Sequence, residues 1–118
     1  MQLETAELPS GIRQIRLTGR LDVQGAGAID NQFAFAVTTA KTPVLVDLSA
    51  VDFIASIGMR LLLMNAKSLH TRGGKLAICK PQPRVREALT TAGIDLLIPV
   101  YDDFDTACSE LLQTPAAP

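Results

Sequence analysis

A chain of 118 residues with 11 Lys+Arg against 12 Asp+Glu, 47% hydrophobic and 19% charged, has the composition of one compact domain with a buried core, not of a disordered segment. With no basic excess, 4% aromatic residues and no Trp, the chain is poorly equipped for phosphate contacts or base stacking, which argues against nucleic acid. One His and two Cys are too few for a zinc framework of the usual ligand count, so neither a metal nor another cofactor is expected.

The first seven residues, Met1-Gln-Leu-Glu-Thr-Ala-Glu, carry acid where a secretory signal would start basic. Leu61-Leu-Leu-Met64 is bounded by Arg60, Asn65 and Lys67, far short of the ~20 apolar residues of a membrane span. The expectation is a cytoplasmic protein without direct membrane insertion, a monomer or weak dimer. Cys79 and Cys108 both sit in settings of small buried thiols.

In chain order, residues 12–18 alternate apolar and polar, with Ile15 and Leu17 on one face, and predict a half-exposed strand that stands alone or in a hairpin. Gly19 and the stretch 22–27 break that pattern. Ile29, Phe33, Ala36, Val37 and Ala40 then recur at helical spacing up to a turn at Lys41-Thr42-Pro43. Val44-Leu-Val-Asp-Leu48 predicts a central buried strand, followed by a loop over 49–55 and a second helix from near Ser56 to Gly73-Gly74. Lys75–Cys79 predicts another buried strand, stopped by Pro81. Pro83 opens a third helix that Gly93 ends. A short strand is expected within 98–101, and Asp102 or Asp103 is expected to cap a last helix with Phe104, Ala107, Cys108 and Leu111 inward. Strands alternating with helices imply an α/β domain built on a mixed sheet. The domain is expected to fill 1–118, with a core at about 5–112 and a flexible tail at 113–118.

The segment from Val44 to Leu63 is the most informative. A buried strand leads to a hydroxyl, Ser56, where a helix begins, with Gly58 two residues later. The first turn of a helix leaves unpaired N–H groups and a partial positive charge, which favour an anion. Gly58 leaves room there for a partner's backbone or a phosphate, whereas the structural alternative is that Ser56 caps its own helix. Asp22 likewise reads either as a partner contact or as a turn or helix-capping residue. Other candidates are weaker. Gly19, Gly25 and Gly27 lack dinucleotide-fingerprint spacing, Asp102-Asp103-x-Asp105 lacks the rest of a calcium loop, and His70 reads as a surface residue at a helix end.

Asp47-Leu-Ser-Ala-Val-Asp-Phe-Ile-Ala-Ser-Ile-Gly-Met-Arg-Leu-Leu-Leu resembles the signature of STAS domains, in particular the bacterial anti-sigma factor antagonists. Thr18-Gly-Arg-Leu-Asp22, Gly73-Gly-Lys-Leu-Ala-Ile, Pro83-Arg-Val-Arg-Glu-Ala-Leu and Thr91-Ala-Gly-Ile-Asp-Leu-Leu-Ile-Pro-Val-Tyr resemble further elements of that family in the same order. The resemblance implies a STAS fold with about four helices mainly on one face of the sheet. It also implies a non-enzymatic partner switch. Ser56 occupies the position that accepts phosphate from a serine-protein kinase that is also the anti-sigma factor, and a metal-dependent serine phosphatase reverses the modification. Asp22, Asp52, Gly58, Met59 and Arg60 are the contacts implied around Ser56. Two positions depart from the family pattern: Ala55 stands where an acid is usual, and Ile57 where a second hydroxyl is. The rival implication of the same resemblance is a STAS subunit of an ABC transporter, contacting the cytosolic ATPase without phosphorylation.

Overall fold

The computed structural model describes residues 1–40 and 43–113, so the expected turn at Lys41–Thr42 and the tail at 114–118 lie outside the described residues. Five strands form one mixed sheet in the order β1 (Gln2–Glu7), β2 (Arg13–Leu21), β3 (Val44–Ile54), β4 (Leu76–Cys79), β5 (Val100–Tyr101). β1 runs antiparallel to β2, and the other neighbours are parallel. Helices α1 (Val23–Thr38), α2 (Ser56–Thr71) and α3 (Pro83–Thr91) make the crossovers, and α4 (Phe104–Gln113) follows β5. A 3-10 turn at Ile94–Leu96 joins α3 to β5.

The sheet separates two apolar layers. Ile15, Leu17, Val44, Val46, Leu48, Leu76 and Ile78 pack with the inward faces of α1, α2 and α3. The alternate residues Leu45, Ala77 and Cys79 pack with Ile12 and with Ala107 and Leu111 of α4. Three of the four helices therefore cover one face, because each parallel crossover returns on the same side of the sheet. Both cysteines are free and lie in the α4 layer, where burial pushes the Cys79 thiol up to about 12.

Several elements differ from the sequence-based expectation. β2 continues through Gly19 to Leu21, and β3 continues to Ile54 where a loop was expected over 49–55. The cause is a pair of register shifts between β2 and β3, one between Arg16 and Thr18 and one between Gly19 and Arg20. They leave Leu48, Val51 and Ile54 inward at a spacing of three, which hides the alternation of a strand. Gly19 adopts φ +118 beside the second shift. The third difference is at α1, which starts at Val23, upstream of two glycines read as breakers. The N-terminal strand β1 is almost wholly exposed and owes its form to pairing with β2. Gln113, assigned by sequence to the tail, is the last residue of α4.

The cap of α4 is Asp103, whose carboxylate accepts from the Thr106 N–H and hydroxyl at 2.8 and 2.9 Å, while Asp102 pairs with Arg86 at 2.8 Å. The Thr106 N–H, then its hydroxyl, holds the Asp103 carboxyl below the ordinary carboxylate value. A depressed folded-state value means that the cap contributes above the unfolded value and is lost as pH falls through the folded one. The Asp103→Ala variant is therefore expected to melt below the parent at pH 7, with the gap narrowing as pH drops below the ordinary carboxylate range. A gap that stays constant across a melting series down to pH 2.5 would contradict this.

Candidate functional site

β2 and β3 end side by side, with Leu21 opposite Ile54 and the Ala55 N–H donating to the Leu21 carbonyl at 3.0 Å. The starts of α1 and α2 are thereby brought to one edge of the sheet, and with them Asp22, Asp52 and Ser56. Ala55, extended at φ −98 and ψ 170, turns the chain into α2, and its carbonyl accepts from the N–H groups of Gly58 and Met59 at 2.9 and 3.1 Å.

Ser56 is the first residue of α2 and not its cap, which corrects the capping alternative. The cap position is held by Ala55, which has no side-chain acceptor to offer. The Ser56 side chain is exposed and its hydroxyl makes no hydrogen bond among the described residues. No side chain satisfies the first N–H groups of this helix. The arrangement is an accessible nucleophilic hydroxyl beside uncompensated backbone donors, which suits an anion attached to that oxygen.

Gly58 is buried and serves the protein's own packing. A Cβ there would lie 2.7 Å from Leu21 Cγ, 2.8 Å from Leu21 O and 3.1 Å from Ile54 Cγ1. The space that the missing side chain leaves is thus filled by the end of β2, and this close approach sets where Ser56 stands. Asp22 is the cap of α1, accepting from the Gly25 N–H at 2.8 Å. That N–H, and after it the Arg20 guanidinium at 3.5 Å, holds the Asp22 carboxyl below the ordinary value. The capping reading of Asp22 is therefore observed, at a place that also adjoins the start of α2.

Asp52 is the extra residue at the second register shift. Val51 pairs with Gly19 and Phe53 with Arg20, so Asp52 has no partner on β2 and projects into solvent. An irregularity of this kind re-aims a side chain out of the sheet. The Arg20 guanidinium lies over the Phe53 ring at 4.3 Å from its centroid. Met59 is half-buried against the main core, and Arg60 is exposed with no ion pair among the described residues.

Leu62 is fully buried, and Leu63 packs partly against the core. Among the described residues, apolar side chains exposed on these helices include Val23 at the start of α1, Ile57 (44% exposed) in the first turn of α2 and Met64 (57% exposed) two turns further along it. The signal for them was the excess of apolar residues around α2. Once Gly58, Leu61, Leu62 and Leu69 are inside, Ile57 and Met64 have no core left to join.

The STAS domain family model matches residues 5–107. BtrV of Bordetella bronchiseptica, assigned as an anti-sigma factor antagonist, is 30% identical over 93 residues, covering 79% of this chain and 80% of that protein. The anti-sigma F factor antagonist of Paenibacillus polymyxa is 28% identical over 102 residues, covering 86% of this chain and 87% of that one. In fold, the chain resembles the Bacillus protein SpoIIAA at 20% identity. Its unphosphorylated form gives a TM-score of 0.77 over 96% of this chain and 98% of that one. Its phosphorylated form gives 0.68 over 92% and 98%. No helix among the described residues is long and apolar enough to cross a membrane. From the strand-to-helix edge that carries Ser56 and the match across nearly the whole chain, it follows that this protein belongs to the STAS domain family.

Proposed function

We propose that this protein is an anti-sigma factor antagonist that works by partner switching, with Ser56 as the phosphoacceptor. The unmodified domain binds a serine-protein kinase that doubles as the anti-sigma factor, and so frees the kinase's other client. Phosphorylation of Ser56 ends that complex, and a metal-dependent serine phosphatase restores the binding form. The domain is ligand and substrate, not catalyst, and it acts in the cytoplasm. The observation that carries this reading is the exposed Ser56 hydroxyl, without a hydrogen bond among the described residues, at the start of α2 that no side chain caps.

The physics of release needs no refolding. Phosphorylation adds roughly −1.5 to −2 charge and three acceptor oxygens at one point. The domain tolerates the anion, because it sits beside unpaired N–H groups. A partner docked over Asp22, Asp52, Ser56, Met59 and Arg60, with Gly58 beneath them, would meet a new anion next to two carboxylates. Ile57, Met64 and Val23 supply apolar area for the unmodified complex. Ile57 stands where a second hydroxyl is usual, so apart from Ser49 the nearby hydroxyl open to modification is Ser56.

The test is co-purification followed by intact-mass analysis. The tagged domain is expected to bring down a serine kinase with a histidine-kinase-like ATP fold, and incubation of the pair with ATP is expected to add one phosphate, absent in Ser56→Ala. Recovery of a transporter ATPase in place of the kinase, or labelling that persists in Ser56→Ala, would overturn the proposal.

A further inference from the structure

Between Ser56 and Thr71, α2 carries Arg60 and Lys67 and no carboxylate. Both cations are exposed, and neither is ion-paired or hydrogen-bonded among the described residues. In a protein of formal net charge −1 this is a local excess of positive charge beside the proposed phosphoacceptor. Arg60 follows Ser56 by four positions, the spacing at which helical side chains share a face. Helical side chains lean toward the N-terminus of their helix, so an arginine at this position is within reach of the turn that holds Ser56. The other charged groups at this edge are differently placed. Asp22 is engaged by Gly25 and Arg20, Arg20 lies over Phe53, and Asp52 projects from its strand irregularity. Among the described residues, Arg60 is the cation here that gives up no ion pair or hydrogen bond when it takes a new partner.

We propose that Arg60 is the switching cation of this surface. In the unmodified protein it meets a carboxylate of the partner. Once Ser56 is phosphorylated, it folds back along its own helix and holds the phosphate. Modification then does two things to the interface: it adds a repulsive anion and it withdraws an attractive cation. Lys67 stands eleven positions from Ser56, ~16 Å along the helix axis, and serves the acidic partner alone. The inference rests on Ser56 being the phosphoacceptor.

The first measurement needs no kinase. Phosphoserine is installed at position 56 during translation, and the second ionisation of the phosphate, ordinarily near ~6, is followed by phosphorus NMR against pH. Arg60→Ala is expected to raise that value by about 0.3 units or more, Arg60→Lys by less, and Lys67→Ala to leave it within about 0.1. A value indifferent to Arg60 overturns the capture. The second measurement is binding to the kinase partner. Arg60→Ala is expected to weaken the unmodified complex about fivefold and to shrink the further loss caused by phosphoserine; two losses that simply multiply overturn the shared role. If the kinase never modifies Ser56 while the Arg60-dependent shift is present, the partner-switching function falls and the capture stands.

Discussion

Ser56→Asp is expected to weaken binding to the kinase partner by about 30- to 100-fold, roughly 2–3 kcal/mol, while Ser56→Ala binds within about threefold of the parent and no longer responds to ATP. The asymmetry follows from the geometry. Among the described residues the Ser56 hydroxyl makes no hydrogen bond that Ala would break, so its loss costs the domain little. A carboxylate at the same point is welcome to the free domain, because the first N–H groups of α2 have no side-chain cap. It is unwelcome to a docked protein, which must desolvate it next to Asp22 and Asp52. Thermal stability and affinity should therefore separate: Ser56→Asp is expected to melt at or slightly above the parent temperature while losing the partner. Calorimetric titration against the kinase, with melting curves on the same samples, reads both. Equal affinities for Ser56→Asp and Ser56→Ala would mean that charge at this point does not govern the complex.

The parts of this site that could be read in the sequence are those fixed by local chemistry. The ends of α2 and α3 were legible because Gly73-Gly74, Pro83 and Gly93 act on their own segments, and the start of α4 because Asp103 caps it. Ser56 at the head of a helix was legible because a nearly continuous apolar run, Val44–Leu48, is followed after seven intervening residues by an apolar helix. What could not be read is set by contacts between segments distant in sequence. The length of β3 depends on its register with β2. The two shifts there turn a period of two into a spacing of three, and they also make Asp52 a projecting residue. β1 has no apolar alternation to display, since nearly all of it faces solvent and its form comes from the partner strand. Ser56 resembled a cap because Ser commonly is one, and only the extended Ala55, held by Leu21, shows that the cap falls one residue earlier.

The glycines near this edge carry the largest stability effects. Composition alone marks Gly25 and Gly27 equally as weak helix formers, and either replaced by Ala should gain about 0.5–1 kcal/mol from propensity. Their surroundings differ completely. A Cβ on Gly25 would lie 2.0 Å from the Arg20 carbonyl oxygen and 3.2 Å from its carbon, which are backbone atoms with no rotamer to escape into. Beyond its chain neighbours and the backbone of its own helix, no atom of the described residues lies within 4 Å of a Cβ on Gly27. Gly25→Ala is therefore expected to destabilise the domain by about 3 kcal/mol or more, ~10 °C in melting temperature, by prising the first turn of α1 from the end of β2. Gly27→Ala is expected to raise the melting temperature by a few degrees. Gly58→Ala falls between, at about 2 kcal/mol, because one of its neighbours, Leu21 Cγ at 2.7 Å, belongs to a side chain that can shift while Leu21 O at 2.8 Å cannot. Yielding there would move the start of α2 relative to Asp22, so Gly58→Ala at a temperature where it remains folded is also expected to accept phosphate from the kinase more slowly. Chemical denaturation of the three variants decides the matter: if Gly25→Ala proves as harmless as Gly27→Ala, the start of α1 is not locked to the end of β2, and if Gly58→Ala does so too, the edge that presents Ser56 has lost its physical basis.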